Sequence, residues 1–403
     1  MSLRQQSSAV RNALPRTVVV LGLVSLLNDS ASEMITPLLP IFLTATLGAG
    51  PAVVGLVEGV AEATASILKL VSGRLVDRGV RPKALVLGGY TLSNSMRPLI
   101  GIAAGWSAVL LLRFLDRVGK GLRTAPRDAL IAGAAAPDQR GRAFGFHRSM
   151  DHAGAVVGPL LAFALLAANA DLKHVFLASI IPGILVLLLL AFGLKPEHAA
   201  PIPAPPRFAW SKLHGRLKAM IIAAGMLALA SVPEVFVVLW ARAAGLAVVW
   251  VPLAWAAASV AKMLIAMPAG IASDRVGRVP LLLAGWTLRV IVLLLLAFAT
   301  AGTIGVWILF MAYSATLAIT EPAERSVIGD HAAAEERGTA FGLYHLASGL
   351  LVLPGALAFG LIWERFGAAA AFATSAVVTA IAAALMIVLA SGDRSGPAGV
   401  TRA

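Results

Sequence analysis

The chain has no cysteine, which excludes disulfide cross-links, thiolate metal sites and cysteine nucleophiles. Charge is scarce too: Asp, Glu, Lys and Arg make up 13% of 403 residues, against 59% hydrophobic residues and a mean hydropathy of +0.86. No water-soluble fold can bury that much apolar surface, so the composition is that of an integral membrane protein. The motifs of several large enzyme classes are missing as well. There is no Walker A loop, no His-Glu-x-x-His and no Gly-x-Ser-x-Gly, nor any polar stretch long enough to build a soluble domain. The expectation is therefore a protein that is not an enzyme, with no catalytic residues, no cofactor, no resident metal and no ATP-driven step of its own.

What charge there is has a strong sign bias, a formal net of +13. Basic residues cluster before residue 17 and at 74–83, 123–148, 195–218, 275–278, 325–337 and 394–402. The intervening turns on the other side hold only Lys173, Arg242 and Arg365. This alternation is the positive-inside rule, so the basic balance reports topology and not a nucleic-acid footprint. It places both termini in the cytoplasm and the protein in the plasma (inner) membrane as a multi-pass chain surrounded by lipid bilayer. Residues 1–16 are polar and the first apolar run is too long for a signal-peptide core, so no cleaved leader is expected.

A spanning helix needs about 20 mostly apolar residues. Such runs fall near 17–46, 52–76, 84–104, 106–128, 142–169, 173–194, 218–242, 247–272, 280–300, 303–327, 338–363 and 368–390. The fold expected is an all-α membrane protein of twelve transmembrane helices. Residues 1–16 form an N-terminal tail, 17–194 a first six-helix bundle, 195–217 a proline-rich cytoplasmic linker, 218–390 a second bundle and 391–403 a C-terminal tail. The two halves are copies. Gly73, Asp77 and Arg81 recur 197 residues later as Gly270, Asp274 and Arg278, and Arg140-Gly-Arg-Ala-Phe-Gly145 recurs at the same offset as Arg337-Gly-Thr-Ala-Phe-Gly342.

Two parallel six-helix repeats around a central loop resemble the major facilitator superfamily over nearly the whole chain. Gly73-x-x-x-Asp77-Arg78-x-x-Arg81 is similar to that family's signature between helices 2 and 3, with Val80 where glycine is usual. The second copy, Gly270, Asp274, Arg275 and Arg278, keeps that glycine as Gly277. The resemblance implies a conformational latch at these residues. On physical grounds the glycine permits close helix approach and the aspartate can accept from helix N-terminal amides or an arginine. The plainer alternative is a tight, inside-positive turn.

Ionisable residues at membrane depth are costly and are functional candidates by default. On helix 1, Asn28 precedes Asp29, Glu33 and Thr36, whose i, i+4, i+7 spacing puts them on one face. Helix 2 has a stripe of Glu58, Glu62 and Lys69, helix 3 has Arg97, and helix 4 has Arg113, Asp116, Arg117 and Lys120. Arg113-Phe-Leu resembles the helix 4 motif of proton-coupled members, which implies a part for Arg113 in proton coupling. Asp116, Arg117 and Lys120 depart from that motif. Asp29, Glu33, Arg113 and Asp116 form the expected proton-coupling set. Asn28, Glu58, Glu62, Arg97, Arg117, Lys120, Glu234 and Tyr313 are the expected substrate-binding set. The alternative is that the same charges are static ion pairs holding the N-terminal half together. In the second half Lys262 and Arg289 read as isolated cations, Trp240 and Trp255 join Tyr313 as a candidate aromatic wall, and Glu324-Arg325 reads as a pair at the inner end.

Helix 5 carries Gly145-x8-Gly154-x3-Gly158-Pro159, similar to the antiporter motif of efflux members, with Ala162 where a last glycine is usual. His147 and Asp151 on this helix lie i, i+4, a spacing suited to metal binding, proton relay or a place in the cytoplasmic interface. Together these features predict a secondary transporter of small organic molecules by alternating access, coupled to protons as an exporter, and acting as a monomer. Proton-coupled uptake or exchange of an organic anion, cation or metal export, and a non-transporting receptor or scaffold are the alternatives.

Overall fold

The computed structural model describes residues 14–194, 225–331 and 337–391. Among them there is no strand, and the helices follow the expected order. They are α1 (Arg16–Glu33), α2 (Pro51–Asp77), α3 (Pro82–Leu99), α4 (Trp106–Ala134), α5 (Arg140–Ala167) and α6 (Leu172–Ala178 with Ile180–Gly193). Then come α7 (Glu234–Ala243, preceded by helical residues 225–230), α8 (Val251–Val276), α9 (Arg278–Phe298) and α10 (Thr303–His331). Gly367, at φ 87°, divides Arg337–Ser391 into α11 (337–366) and α12 (368–391). Eight spans among the described residues pass a test of length and apolarity for crossing a membrane. Helix α4 fails it on its own charges, Arg113, Asp116, Arg117, Lys120 and Arg123. The linker 195–217 and most of both tails lie outside the described residues.

Proline places the interruptions. It has no N–H to donate and its ring clashes with the carbonyl four residues earlier. Pro37 and Pro40 follow the end of α1 at Glu33, after which the chain continues through Leu39–Ile41 into a wide turn, Phe42–Thr46. Pro182 lies just past the joint at Ser179 in α6. Pro233 ends a non-helical stretch, 231–233, so the seventh span is two pieces where one continuous helix was expected.

The turn glycines correct the reading of the 73–83 signature. In the second copy Gly277 holds φ 102° between α8 and α9, as expected of a left-handed position. In the first copy that conformation belongs to Gly79 (φ 88°), one residue before Val80, and four residues separate α2 from α3. The glycine has moved along the turn and its function is kept. Gly73 meets a neighbour only at ordinary distance, Ala125 Cβ at 3.6 Å, and nothing lies near Gly270, so close approach is not the reason for either. Arg278 pairs with Asp274 within its own motif and donates to Ser273 Oγ at 3.2 Å. The Lys83 ammonium donates to the carbonyl of Leu194 just past α6, where a helix C-terminus favours a cation.

The chain forms two compact units, Met1–Ala49 with Val60–Pro206 and Leu246–Ser259, and Gly50–Gly59 with Arg207–Gly245 and Val260–Ala403. In the first, α1 packs on α5 and α3 on α4, around Leu21, Val24, Val86, Tyr90, Ile131 and Val186. In the second, α9 packs on α10 and on the α11–α12 segment, around Leu282, Trp286, Ala323, Tyr344 and Met386. Lipid tails are as apolar as leucine, so helix association in a bilayer relies on close packing of small residues. Gly89 of α3 and Gly119 of α4 face each other so closely that a Cβ on either would strike the other's backbone. In the second unit, Gly55 and Gly59 do the same against Ala356 and Leu353, and Glu364 accepts from the Ala52 amide at the start of α2 (3.1 Å).

Candidate functional site

Asp116 is the hub of the first unit. Arg97 Nε from α3 lies 2.9 Å from its Oδ1, while Arg113 Nη1 and Arg117 Nε approach Oδ2 at 3.3 and 3.5 Å. Spacing i, i+3 on α4 brings Arg113 to it, and close packing of α3 on α4 at the two glycines brings Arg97. All four side chains are at least nine-tenths buried. Arg97 also donates from Nη1 to Asn28 Oδ1 (3.0 Å), the Asn28 carbonyl (3.1 Å) and Asn94 Oδ1 (3.3 Å). Asn28 in turn donates to Asp29 Oδ1 at 3.0 Å. One hydrogen-bonded run thus joins Asp29 to Arg113 through three helices, which brings together residues expected in two separate sets.

Arg123 shows where sequence reasoning missed a member. Its place in a basic stretch suggested the inner surface, yet it is buried, donates to Ser93 Oγ at 2.6 Å and lies 4.5 Å from the centre of the Tyr90 ring. Its spacing of i+7 from Asp116, close to two turns, was the available signal. Lys120, one turn nearer, is exposed, and Glu62 and Asp29 are among the charges around it. Glu62 is exposed and Glu58 half-buried on α2. The described residues contain no cluster of three or more candidate metal ligands.

The carboxylates of α1 are seated by α5. A Cβ on Gly154 would meet Asp29 Cβ at 2.9 Å, and one on Gly158 would meet Glu33 Cβ at 3.0 Å. Gly154 and Gly158 of the antiporter-type motif are therefore the contact points for the two α1 carboxylates of the expected proton-coupling set. Gly145 has open space around it. Glu33 accepts from Trp255 Nε1 at 2.8 Å, so that tryptophan is a partner of the acid.

These packing facts separate the motif glycines experimentally. Gly158→Ala should destabilise the purified protein by about 1–3 kcal/mol, the usual cost of overpacking. Gly145→Ala should be neutral or stabilise by up to about 1 kcal/mol, since alanine is the better helix former. Thermal unfolding in detergent reads both, and equal effects of the two substitutions would contradict the packing account.

The second unit holds a smaller polar centre at the break in the seventh span. Glu234, the first residue of α7, takes the Lys262 ammonium on both oxygens (3.0 and 2.8 Å) and the Ser314 hydroxyl at 2.6 Å. Lys262 is therefore not the isolated cation it was expected to be. Tyr313 donates to the Val232 carbonyl, one of the groups freed by the break. Arg289 is buried and donates to the Thr316 carbonyl (3.3 Å) and Thr320 Oγ1 (2.8 Å). Glu324 accepts from Tyr344 at 3.2 Å, and the Arg325 side chain lies outside the described residues. The Glu234–Lys262 pair is partly open, with 19% and 30% of the side chains exposed. A double-mutant cycle of Glu234→Gln and Lys262→Met should return a coupling of about 1.5–3 kcal/mol, the range for hydrogen bonds to charged groups. A coupling near zero in thermal denaturation would show the pair to be solvent-screened.

Long apolar helices with charged groups paired between them, among the described residues, are the build of a polytopic membrane protein. The sequence profile of the Major Facilitator Superfamily matches residues 21–260 and 239–402, and the chain belongs to that family. An uncharacterized MFS-type transporter of Methanocaldococcus jannaschii is 30% identical over 367 residues, covering 89% of this chain and 92% of that protein. The multidrug resistance protein MdtH of Aeromonas hydrophila is 33% identical over 158 residues, 39% of each chain. Among solved structures, a bacterial homolog of the human lysosomal transporter Spinster, in an inward-facing and occupied conformation, superposes with a TM-score of 0.76 at 18% identity. It covers 94% of this chain and 98% of that one. That likeness is one of fold.

Proposed function

We propose that this transporter exports small amphipathic organic molecules in exchange for protons, by alternating access, from the cytoplasmic membrane. The observation that carries the reading is the seating of Asp29 and Glu33 on Gly154 and Gly158. A motif similar to that of exporters holds two half-buried carboxylates on one face of α1, and the run through Asn28 and Arg97 ties the first of them to Asp116 and Arg113. Arginine stays ionised, so the protons are carried by the carboxylates and the guanidiniums set their energetics. The partial match to a multidrug resistance protein supports the direction and the class of cargo.

A second reading draws on the charge count of the same network. Three arginines share Asp116, and Arg123 and Lys120 add to the positive side, which suits an organic anion. Proteoliposomes with a trapped pH dye separate the readings. Ethidium and a panel of monocarboxylates are offered with and without an imposed proton gradient. Export predicts proton movement opposite to ethidium. Proton movement with a carboxylate alone would replace the first reading by the second, and no movement with any compound would favour a receptor.

A further inference from the structure

The network leaves a line of polar groups on the α1–α5 contact unexplained. Ser25 lies one turn before Asp29 on the same face of α1, and Asp151 lies one turn before Gly154, the residue against which Asp29 sits. Ser25 Oγ donates to Asp151 Oδ1. A further turn along α5, His147 Nδ1 lies 3.5 Å from Asp151 Oδ2. His147 is 4% exposed, and its Nε2 is buried with no hydrogen-bond partner among the described residues. The series Asp29, Ser25–Asp151, His147 thus steps one turn at a time toward the end of α5 that carries Arg140, Arg142 and Arg148. A buried imidazole with one nitrogen on a carboxylate and the other unbonded is unexplained as packing, since burying an unsatisfied polar atom costs about 1–3 kcal/mol.

We infer that Ser25, Asp151 and His147 form a proton path between Asp29 and the basic end of α5. The inference rests on Asp29 being the proton carrier proposed above. In the release step the Asp29 carboxyl gives its proton to Ser25 Oγ while the serine proton passes to Asp151. Asp151 protonates His147 at Nδ1, and the proton on Nε2 leaves to a water that reaches the ring from the basic end. One proton leaves Asp29 and one reaches water, and return of the ring to its Nε2–H tautomer resets the path. No oxidant or second reactant is needed. The charges facing these groups are Asp29 from α1, Lys120, Arg123, Arg127 and Asp128 from α4, and Arg148 from α5. Arg127 lies 3.5 Å from Ser25 Oγ and 3.0 Å from Asp128, and Arg148 lies 3.6 Å from Asp151.

The test is a stopped-flow pH jump on the purified full-length protein in detergent, with pyranine in weak buffer reporting proton uptake and release. Asp29→Asn should remove the proton-exchange phase of this carboxyl. His147→Ala should keep its amplitude and slow it by about 100-fold or more, on the scale of lost proton-transfer catalysis. Added imidazole should restore the rate with increasing dose, which a merely structural histidine would not permit. Asp151→Asn should slow the phase comparably. His147→Gln serves where the alanine variant fails to give a monodisperse protein. An unchanged phase in Asp29→Asn overturns the carrier assignment and the path together. A lost phase in Asp29→Asn with wild-type rates in both folded His147 variants overturns the path alone.

Discussion

Asp29→Asn is expected to abolish substrate-dependent proton movement in proteoliposomes while leaving the protein folded. The amide keeps the shape of the side chain and can still bond to Asn28, so the packing of α1 against Gly154 is preserved. What it loses is the ability to exchange a proton, and removal of a proton-transfer group typically costs about 100-fold or more. Downhill movement of ethidium should persist, because binding does not require the charge to change. Coupled transport at the wild-type level in the Asn variant would sink the assignment. Loss of both coupled and downhill movement would instead mark Asp29 as a substrate contact. Glu33→Gln is the informative comparison, since Trp255 holds that carboxylate directly and should make its substitution more disruptive to folding.

The largest effect on stability should come from Asp116→Asn. Three guanidiniums converge on this one buried carboxylate, and the asparagine would leave them facing one another without a countercharge. Breaking a buried ion pair by removing one partner costs on the order of 3–5 kcal/mol. Here the shared acid makes the upper part of that range the expectation. Loss of the folded, monodisperse fraction on size exclusion, or a large drop in melting temperature, reads it. A second substitution, Arg97→Gln, should recover part of the loss by removing one of the stranded cations. A variant as stable as wild type would mean that water, not Asp116, balances these arginines.

Several elements of this fold were legible in the chain itself. The apolar runs marked the helices. The repeat at 197 residues matched the Asp274–Arg278 turn to its earlier copy. Asp29 and Glu33 were found as neighbours because i, i+4 spacing on a helix is a local rule, and the α5 motif pointed to the glycines that seat them. Arg123 and Lys262 went the other way. One was assigned to the inner surface and the other to isolation, because a charge's position along a span says nothing of how the helix is turned or which neighbour faces it. The turn glycine at 79 shifted off the family position for a related reason: a loop of four residues has room to place its left-handed residue one step earlier.

Composition and periodicity by themselves determined that this protein is helical and embedded in a membrane. The bilayer enforces these properties on each segment separately, through length, apolarity and flanking charge. Which arginines share Asp116, that Glu234 closes on Lys262 at a broken helix, and that Asp151 bridges Ser25 and His147 were decided only by the tertiary structure. A residue's azimuth advances about 100° per position. Small differences in helix rotation and depth therefore choose among several partners of the same charge, and they are set by packing between helices distant in sequence.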